Sequence, residues 1–400
     1  MTADSRVHTV CAEKRLLVCC ARTRMSAPTA EQIREILKRP IDWDYLHAES
    51  AENSITPLVE KHLRTLGKDF VPSEQLEQWK EAARANTVRC LYLTAELNRV
   101  LDLFQSNGIE AIPYKGPVLA AQAYGDATMR EFEDLDLILR QRDLPKAHEI
   151  MLGLGYRPKF PWILSASAAG SLVPGEYNYR DEARRLMVEL HTEITLRHFP
   201  VVPDLDVFTK RLAIVMLAGR EVKTFCVEDL LPVLCIHGSK DFWERLSWIA
   251  DIAELAQANP GLDWAEVVRR ADSIRARRML FLGLILAAEI LDASIPEEIR
   301  RDARADGSAA SVAAEVRTRL LSRQMPHLDA AGRFRFRRRM VPGTVSGWRY
   351  AARLAVIPAE EDWTAIRLPG PLAPLYVVLR PLRLFFKYGW SSRRAPRLSP

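Results

Sequence analysis

The chain has little of what would place it outside the cell or in a membrane. Its 400 residues include six cysteines, and these are scattered, with no Cys-x-x-Cys pair and no Cys/His group at zinc-finger spacing. That excludes a disulfide framework and a structural zinc of the usual kind, and it fits free thiols in a reducing compartment. Long apolar runs are missing too. The longest, Met279 to Leu291, contains Glu289 and falls well short of the ~20 residues that span a bilayer. It reads as a buried helix. The opening residues, Met1 to Glu13, are polar and mixed, and Leu16 to Ala21 is too short for a signal h-region. A cytoplasmic protein with no transmembrane segment is expected. No internal repeat and no low-complexity tract stands out.

What is present is enough apolar material, 48% of residues, to bury a sizeable core in two or three subdomains. The formal charge of +6 is uneven. Residues Ala331 to Pro400 hold 14 Lys or Arg against 3 Asp or Glu, so this tail is +11 and the remainder −5. A solvated basic surface is the plain reading. A weak anionic partner at this C-terminal tail is the alternative.

Periodicity divides the chain. Thr29 to Arg39 and Trp43 to Leu66 read as helices. A long one follows from Pro72-Ser73, with Leu76, Trp79, Ala83, Cys90, Leu97, Leu101 and Phe104 near the helical period and Asn107-Gly108 as the stop. Ile109 to Tyr114 then reads as a short strand and Gly116-Pro117 as a helix start. Asp134 to Leu139 alternates strictly, as does Leu186 to Ile194, so both are predicted strands. Helical periodicity returns over 228–293. Ala303 to Val341, Arg-rich and polar, reads as a linker or exposed helix. Ser165 to Ser171 has the composition of a loop. The predicted organisation is an N-terminal segment (1–25), a helical subdomain (26–108), an α/β core (109–225), a second helical subdomain (226–300) and a basic linker and C-terminal tail (301–400).

The chemistry points to Asp134-Leu135-Asp136. Residues two apart on a strand share a face, so both carboxylates point one way while Leu135 and Leu137 point the other. Two adjacent carboxylates repel, and a hard cation that also binds phosphate oxygens reconciles them. This geometry holds a nucleoside triphosphate for in-line displacement at phosphorus. Glu189, in the later alternating segment, is the candidate third carboxylate, either a metal ligand or a general base. Glu193 is the reserve. His191 between them is a candidate proton shuttle or phosphate contact. A plain polar strand face would show the same Asp-x-Asp pattern.

The surroundings go further. Tyr114-Lys115-Gly116-Pro117, Tyr124-Gly125-Asp126, Arg130, Asp134-Leu135-Asp136-Leu137 and Leu154-Gly155-Tyr156 together resemble the bacterial "uncharacterised nucleotidyltransferase" family, a branch of the polymerase-β-type nucleotidyltransferases. Glu189-Leu190-His191, then His237-Gly238, Trp243, Arg245-Leu246, Trp248 and Asp251, and the ending Arg380-Pro381-Leu382-Arg383, extend the likeness to about Gly389. The resemblance implies an α+β fold: a small mixed-sheet nucleotidyltransferase core flanked by N-terminal and C-terminal helical subdomains. It implies Asp134, Asp136 and Glu189 as catalytic metal ligands for Mg2+ or Mn2+. Lys115, Gly116, Arg130 and His191 would lie near the nucleotide. The expected activity is transfer of a nucleoside monophosphate from an NTP, ATP first among them, to a hydroxyl-type acceptor (small molecule, peptide or protein) with release of pyrophosphate. Two features depart from the superfamily pattern. Lys115-Gly116-Pro117 stands where a Gly-Ser is usual, and the third acid is Glu rather than Asp. A fold-retaining protein without catalysis, or an adaptor acting through the basic tail, are the alternatives. On the helical pair carrying His237, Lys240, Trp243 and Arg245, interdomain packing with Asp251 capping or paired to Arg245 is expected, and a nucleotide or acceptor contact with Trp stacked on a base is the alternative.

Overall fold

The computed structural model describes residues 10–160, 175–368 and 370–389. The Ser165 to Ser171 segment therefore lies outside the described residues. Four helices open the described chain: α1 (Ala12–Cys20), α2 (Ala27–Leu37), α3 (Trp43–Glu52) and α4 (Thr56–Leu66). Ser26 and Asp42 cap α2 and α3 with side-chain oxygens on backbone N–H groups. The long helix α5 (Ser73–Ser106) follows.

Helix α5 joins two hydrophobic cores. Near its start, Trp79 is buried in a helical core with α1 to α4. Further on, Cys90, Leu93, Leu97, Val100, Leu101 and Phe104 pack into a second core built on the sheet. Spacings of three and four keep these residues on one stripe, as the sequence pattern requires. Beyond Ser106 the helix stops at Asn107 and at Gly108, whose φ of +74° a side chain would oppose.

The sheet holds β1 (Ile112–Pro113), β2 (Asp134–Ile138), β3 (Arg157–Pro158), β4 (Glu176–Asp181) and β5 (Leu186–His191) in the order β1-β2-β5-β4-β3. Only β2 and β5 run parallel; the other pairings are antiparallel, so the sheet is mixed. Between β1 and β2 lies α6 (Gly116–Tyr124), and between β2 and β3 lies α7 (Leu144–Gly153). The strand read over Ile109 to Tyr114 is only a bridge at Ile112–Pro113. Pro113 lacks an N–H and ends the ladder, which places β1 at the sheet edge. Helix α6 spans the seam between the cores: Val118 and Ala120 face the sheet, while Leu119 and Ala123 face the helices.

After a short helix α8 (Asp206–Thr209), strands β6 (Leu212–Leu217) and β7 (Arg220–Phe225) form a separate hairpin. Its two turn residues, Ala218 and Gly219, both have positive φ, at +50° and +81°. That is the primed turn that suits a tight hairpin.

Helices α9 (Val227–Lys240), α10 (Leu246–Ala258), α11 (Trp264–Ser273) and α12 (Arg277–Leu291) complete the helical core. They pack with buried Leu230, Ile249, Val267 and Leu284. At the end of α9 the turn carries Phe242 and Trp243 at positive φ and drives the Trp243 ring into the core. A Cβ on Gly238 would stand 2.7 Å from that ring. This explains the His-Gly…Trp spacing seen in the sequence: the glycine is the floor on which the indole rests. Gly238→Ala is expected to cost about 1–3 kcal/mol through overpacking, read as a lower denaturant midpoint.

Then come α13 (Glu297–Ala305), α14 (Gly307–Leu320), α15 (Ala330–Arg339), α16 (Thr344–Val356), α17 (Glu360–Ala365) and α18 (Tyr376–Leu384). The polar stretch read as linker or exposed helix is helical and half inside: Val312, Ala313 and Val316 of α14 and Phe336 of α15 are buried in the helical core. No helix of the described residues is long and apolar enough to cross a membrane.

His198 lies where this C-terminal region meets the core. Burial pushes it down to about 4, and Arg337, Arg380 and Lys240 push the same way against Asp362. Its Nδ1 is buried without a hydrogen-bond partner. A histidine held neutral in the fold but protonated near 6.5 when unfolded stabilises above pH 6.5 and loses that contribution as pH falls toward 4. Unfolding free energy is expected to drop by about 2 kcal/mol from this site between roughly pH 7 and pH 5, and His198→Phe to abolish that part of the drop. Urea titrations at both pH values measure it.

Candidate active site

Strand β2 presents Asp134 and Asp136 on one face, while Leu135 and Leu137 enter the sheet core. The parallel register sets Asp136 opposite Glu189 and Ile138 opposite His191. Antiparallel pairing then sets Asn178 of β4 opposite Glu189. Directly opposed residues share a face, so Asp136, Glu189 and Asn178 form a polar row across three strands.

The hydrogen bonds follow this row. Asn178 Nδ2 donates to Glu189 Oε1 at 2.7 Å. His191 Nε2 lies 3.1 Å from Asp136 Oδ1 and 3.5 Å from Glu189 Oε2. Lys115 Nζ donates to Asp136 Oδ1 at 2.8 Å. Ligand atoms of Asp136, Glu189 and His191 all lie within 4.8 Å of one another. Asp134 flanks this group one strand repeat earlier and lines a cavity together with Asp136.

Charge is concentrated here. Burial alone would raise the Asp136 carboxyl, but Lys115 and the His191 hydrogen bond outweigh it and hold it well below the carboxylate range. Burial pushes Asp134 up to about 7, and the negative charge of Asp136 adds to this. For Glu189, burial is again opposed by the His191 hydrogen bond, and the net shift is downward. His191 rises to about 9 because its bonds to Asp136 and Glu189 exceed the cost of burial. The buried Lys115 ammonium is held charged mainly by Asp136. Two protein cations, Lys115 and His191, thus offset the carboxylates.

Lys115 also ends the loop before α6. Gly116 has a φ of +55°, and a Cβ there would stand 3.3 Å from the Asp134 carbonyl oxygen. Glycine is what lets the helix start pass this close to β2. The first turn of α6 and Lys115 therefore face the cavity together.

That cavity is about 630 Å3 and lies between the sheet and the helical core. The end of α3 supplies Glu52, the α3–α4 connection Ser54, α5 Asn86 and Arg89, and helices α9 and α10 with the turn between them His237, Arg245 and Trp248. Arg89 is tied to the backbone oxygens of Arg185 and Glu133. Burial and the neighbouring Lys115 hold His237 neutral, well below its usual range.

Several residues sit otherwise than read from the sequence. Arg130 lines the cavity, but its Nε and one terminal nitrogen bind Asp251 at 2.8 and 2.9 Å. Tyr124 donates to the same carboxylate at 2.8 Å. Asp251 thus pairs with Arg130 rather than with Arg245, whose guanidinium lies over the Trp248 ring at 5.9 Å. Glu193 follows the end of β5 and pairs with Arg197, so it stays outside the cluster. Asn178 was missed because the buried positions of β4 are filled by Tyr177 and Tyr179, so its alternation carries no aliphatic residue. Glu52, Asn86 and Arg89 were invisible because only the tertiary fold brings helices onto the sheet.

With this geometry in view, the comparisons identify the class. Residues 39–292 match the family model described as "Uncharacterised nucleotidyltransferase". The chain belongs to that family, and its α+β fold, a small mixed sheet flanked by helices, is a nucleotidyltransferase fold. No curated protein matches. Two solved structures are similar. One is the solution structure of the antibiotic-resistance factor ANT(2'')-Ia, at 14% identity and a TM-score of 0.35, covering 47% of this chain and 93% of that one. The other is the crystal structure of an antigenic nucleotidyltransferase-like protein from Paracoccidioides brasiliensis, at 14% identity and a TM-score of 0.29, covering 51% of this chain and 93% of that one.

Proposed function

We propose that the protein transfers a nucleoside monophosphate from an NTP, with ATP the first candidate, to a hydroxyl-type acceptor and releases pyrophosphate. The observation that carries this reading is the in-register placement of Asp136 beside Glu189, with Asp134 and Asp136 lining a 630 Å3 cavity.

The donor set fits a divalent cation. Asp134, Asp136 and Glu189 offer hard carboxylate oxygens on one sheet face, and His191 would add an imidazole nitrogen once it gives up its proton. These residues would hold Mg2+ or Mn2+, which when bound neutralises charge on the attacking and leaving oxygens. The chain's own groups do the rest. Lys115 and the first-turn backbone of α6 suit the non-reacting phosphates, since a helix start favours anions and an ammonium complements them. This is a different grip from a Gly-Ser turn, and it accounts for Lys115-Gly116-Pro117 in that place. Asn178 fixes the Glu189 carboxylate by occupying Oε1. Arg130, committed to Asp251, acts by positioning the loop ahead of β2. Trp248, braced by Arg245 and by the His237 ring at 5.3 Å, offers a flat apolar wall for a base or acceptor.

A second reading has one observation behind it. Lys115 and His191 already balance Asp136, which a protein that kept the fold without catalysis would also show. Calorimetry separates the two. Wild type is expected to bind MnATP or MgATP, and Asp134→Asn/Asp136→Asn to lose that binding. Pyrophosphate release by wild type with a pool of hydroxyl-bearing acceptors supports transfer. Binding without release across the pool favours the second reading, and unchanged binding by the double variant removes the metal site.

A further inference from the structure

We propose that the C-terminal helices form a peripheral docking surface for an anionic lipid bilayer. The inference is independent of the catalytic reading. It starts from the way α18 is pinned. Arg380 sits buried on one side of the helix, donating to the Leu354 carbonyl oxygen at 2.8 Å and pairing with Asp362. Arg383 donates to the other oxygen of Asp362 at 2.5 Å. Tyr376 is buried on the same side and donates to the Ile366 carbonyl oxygen. Polar anchors therefore face inward, the reverse of an ordinary surface helix.

The consequence is an apolar stripe turned outward. Val378, Leu382, Phe385 and Phe386 follow at intervals of four, three and one, on one face of α18 and of the helical turn that continues it to Gly389. Val378 is 60% exposed, Phe385 67% and Phe386 61%. Helix α16 packs against α18. It leaves Trp348 78% exposed, with Val345 one turn earlier exposed as well. Isolated exposed apolar residues are ordinary, but a stripe of large ones held outward by buried ion pairs marks an interaction surface.

Charge selects the occupant. The 70 residues from Ala331 carry 14 basic side chains and 3 acidic ones, and the acidic three are the consecutive Glu360, Glu361 and Asp362. Of these, Asp362 is spent inside the fold on Arg380 and Arg383, which sets aside two of the basic groups as well and leaves 12 basic against 2 acidic. Large apolar and aromatic side chains on a strongly basic segment are what an interfacial helix needs at an anionic membrane surface. No described helix can span a bilayer, so the attachment is peripheral. A nucleic acid would use the arginines and could stack bases on the aromatic rings, but it would leave the exposed aliphatic Val345, Val378 and Leu382 without a role.

The test is vesicle co-sedimentation of the full chain with phosphatidylglycerol-containing and pure phosphatidylcholine vesicles, across a salt series. Binding to the anionic vesicles is expected to be at least about tenfold tighter and to weaken as salt rises. Phe385→Glu/Phe386→Glu is expected to lose at least about tenfold of it. Its melting temperature should be unchanged, because both rings are solvent-facing. Ile214→Glu/Met216→Glu, on the β6–β7 hairpin, serves as a control for general hydrophobicity and is expected to bind as wild type does. Equal or absent binding to the two vesicle types, or full binding by the Phe385/Phe386 variant, overturns the proposal. So does a wild-type dimer that this variant converts to monomer, since a second copy of the chain would then cover the stripe.

Discussion

Asp136→Asn is expected to abolish metal-dependent nucleotide binding and to lower any transfer rate on the order of 10^3-fold, equivalent to about 4 kcal/mol of transition-state stabilisation. The shape of the side chain is kept, so the loss is one of charge. A structural side effect must be separated from the functional one, because Asp136 is also the buried partner of Lys115. Removing its charge leaves an ammonium inside the protein with its main counter-charge gone. Breaking a buried pair in this way costs about 3–5 kcal/mol. The single variant should therefore melt lower as well as bind worse. Lys115→Met added to Asp136→Asn removes the stranded cation and is expected to restore much of the melting temperature without restoring binding of MnATP. If the double variant recovers both, Asp136 is a structural residue and the metal site is elsewhere. Differential scanning calorimetry and isothermal titration of the three proteins give the two readouts.

The second large effect is expected at Asp251, a residue of α10 that touches neither the sheet nor the carboxylate row. Its two oxygens receive Arg130 at 2.8 and 2.9 Å and Tyr124 at 2.8 Å, with the carboxylate almost fully buried. This knot ties the end of α6 and the loop before β2 to the helical core. Asp251→Ala strands a buried guanidinium and a buried phenol and is expected to destabilise by about 3–5 kcal/mol. The loop before β2 carries the backbone that sets Asp134, so weaker metal binding should accompany the loss. Arg130→Met/Asp251→Leu, which removes both charges, is expected to regain stability, since well-packed apolar replacements of a buried pair are often neutral or better. Chemical denaturation of the two variants checks this. Equal stability of Asp251→Ala and wild type would show that the knot does not hold the loop.

The two aspartates were legible in the sequence because a period of two along five residues fixes their face whatever surrounds them. Glu189 was legible for the same reason on β5. Their registry was not: nothing in either segment states that β2 and β5 lie side by side and parallel, and that pairing is what turns two short motifs into one site. The row's third member, Asn178, sits on a strand whose buried positions are the tyrosines Tyr177 and Tyr179, so no aliphatic alternation marks it. The β6–β7 hairpin escaped notice because Ala218-Gly219 makes the turn without the Asn-Gly or Asp-Gly that signals it. Arg130 was placed beside phosphate on the strength of a pattern, and the structure gives the physical reason for its place in that pattern: a carboxylate 121 residues later requires it. The same holds for Gly238, whose value is set by an indole five positions on.

The most direct measurement is a crystal structure with Mn2+ and a non-hydrolysable ATP analogue, using manganese anomalous scattering. The account predicts an anomalous peak coordinated by Asp136 and Glu189, with Asp134 turned toward it, the triphosphate against the start of α6, and Lys115 off Asp136 and on phosphate. Lys115 still bonded to Asp136, with no peak between the carboxylates and the nucleotide absent from this cavity, would contradict it.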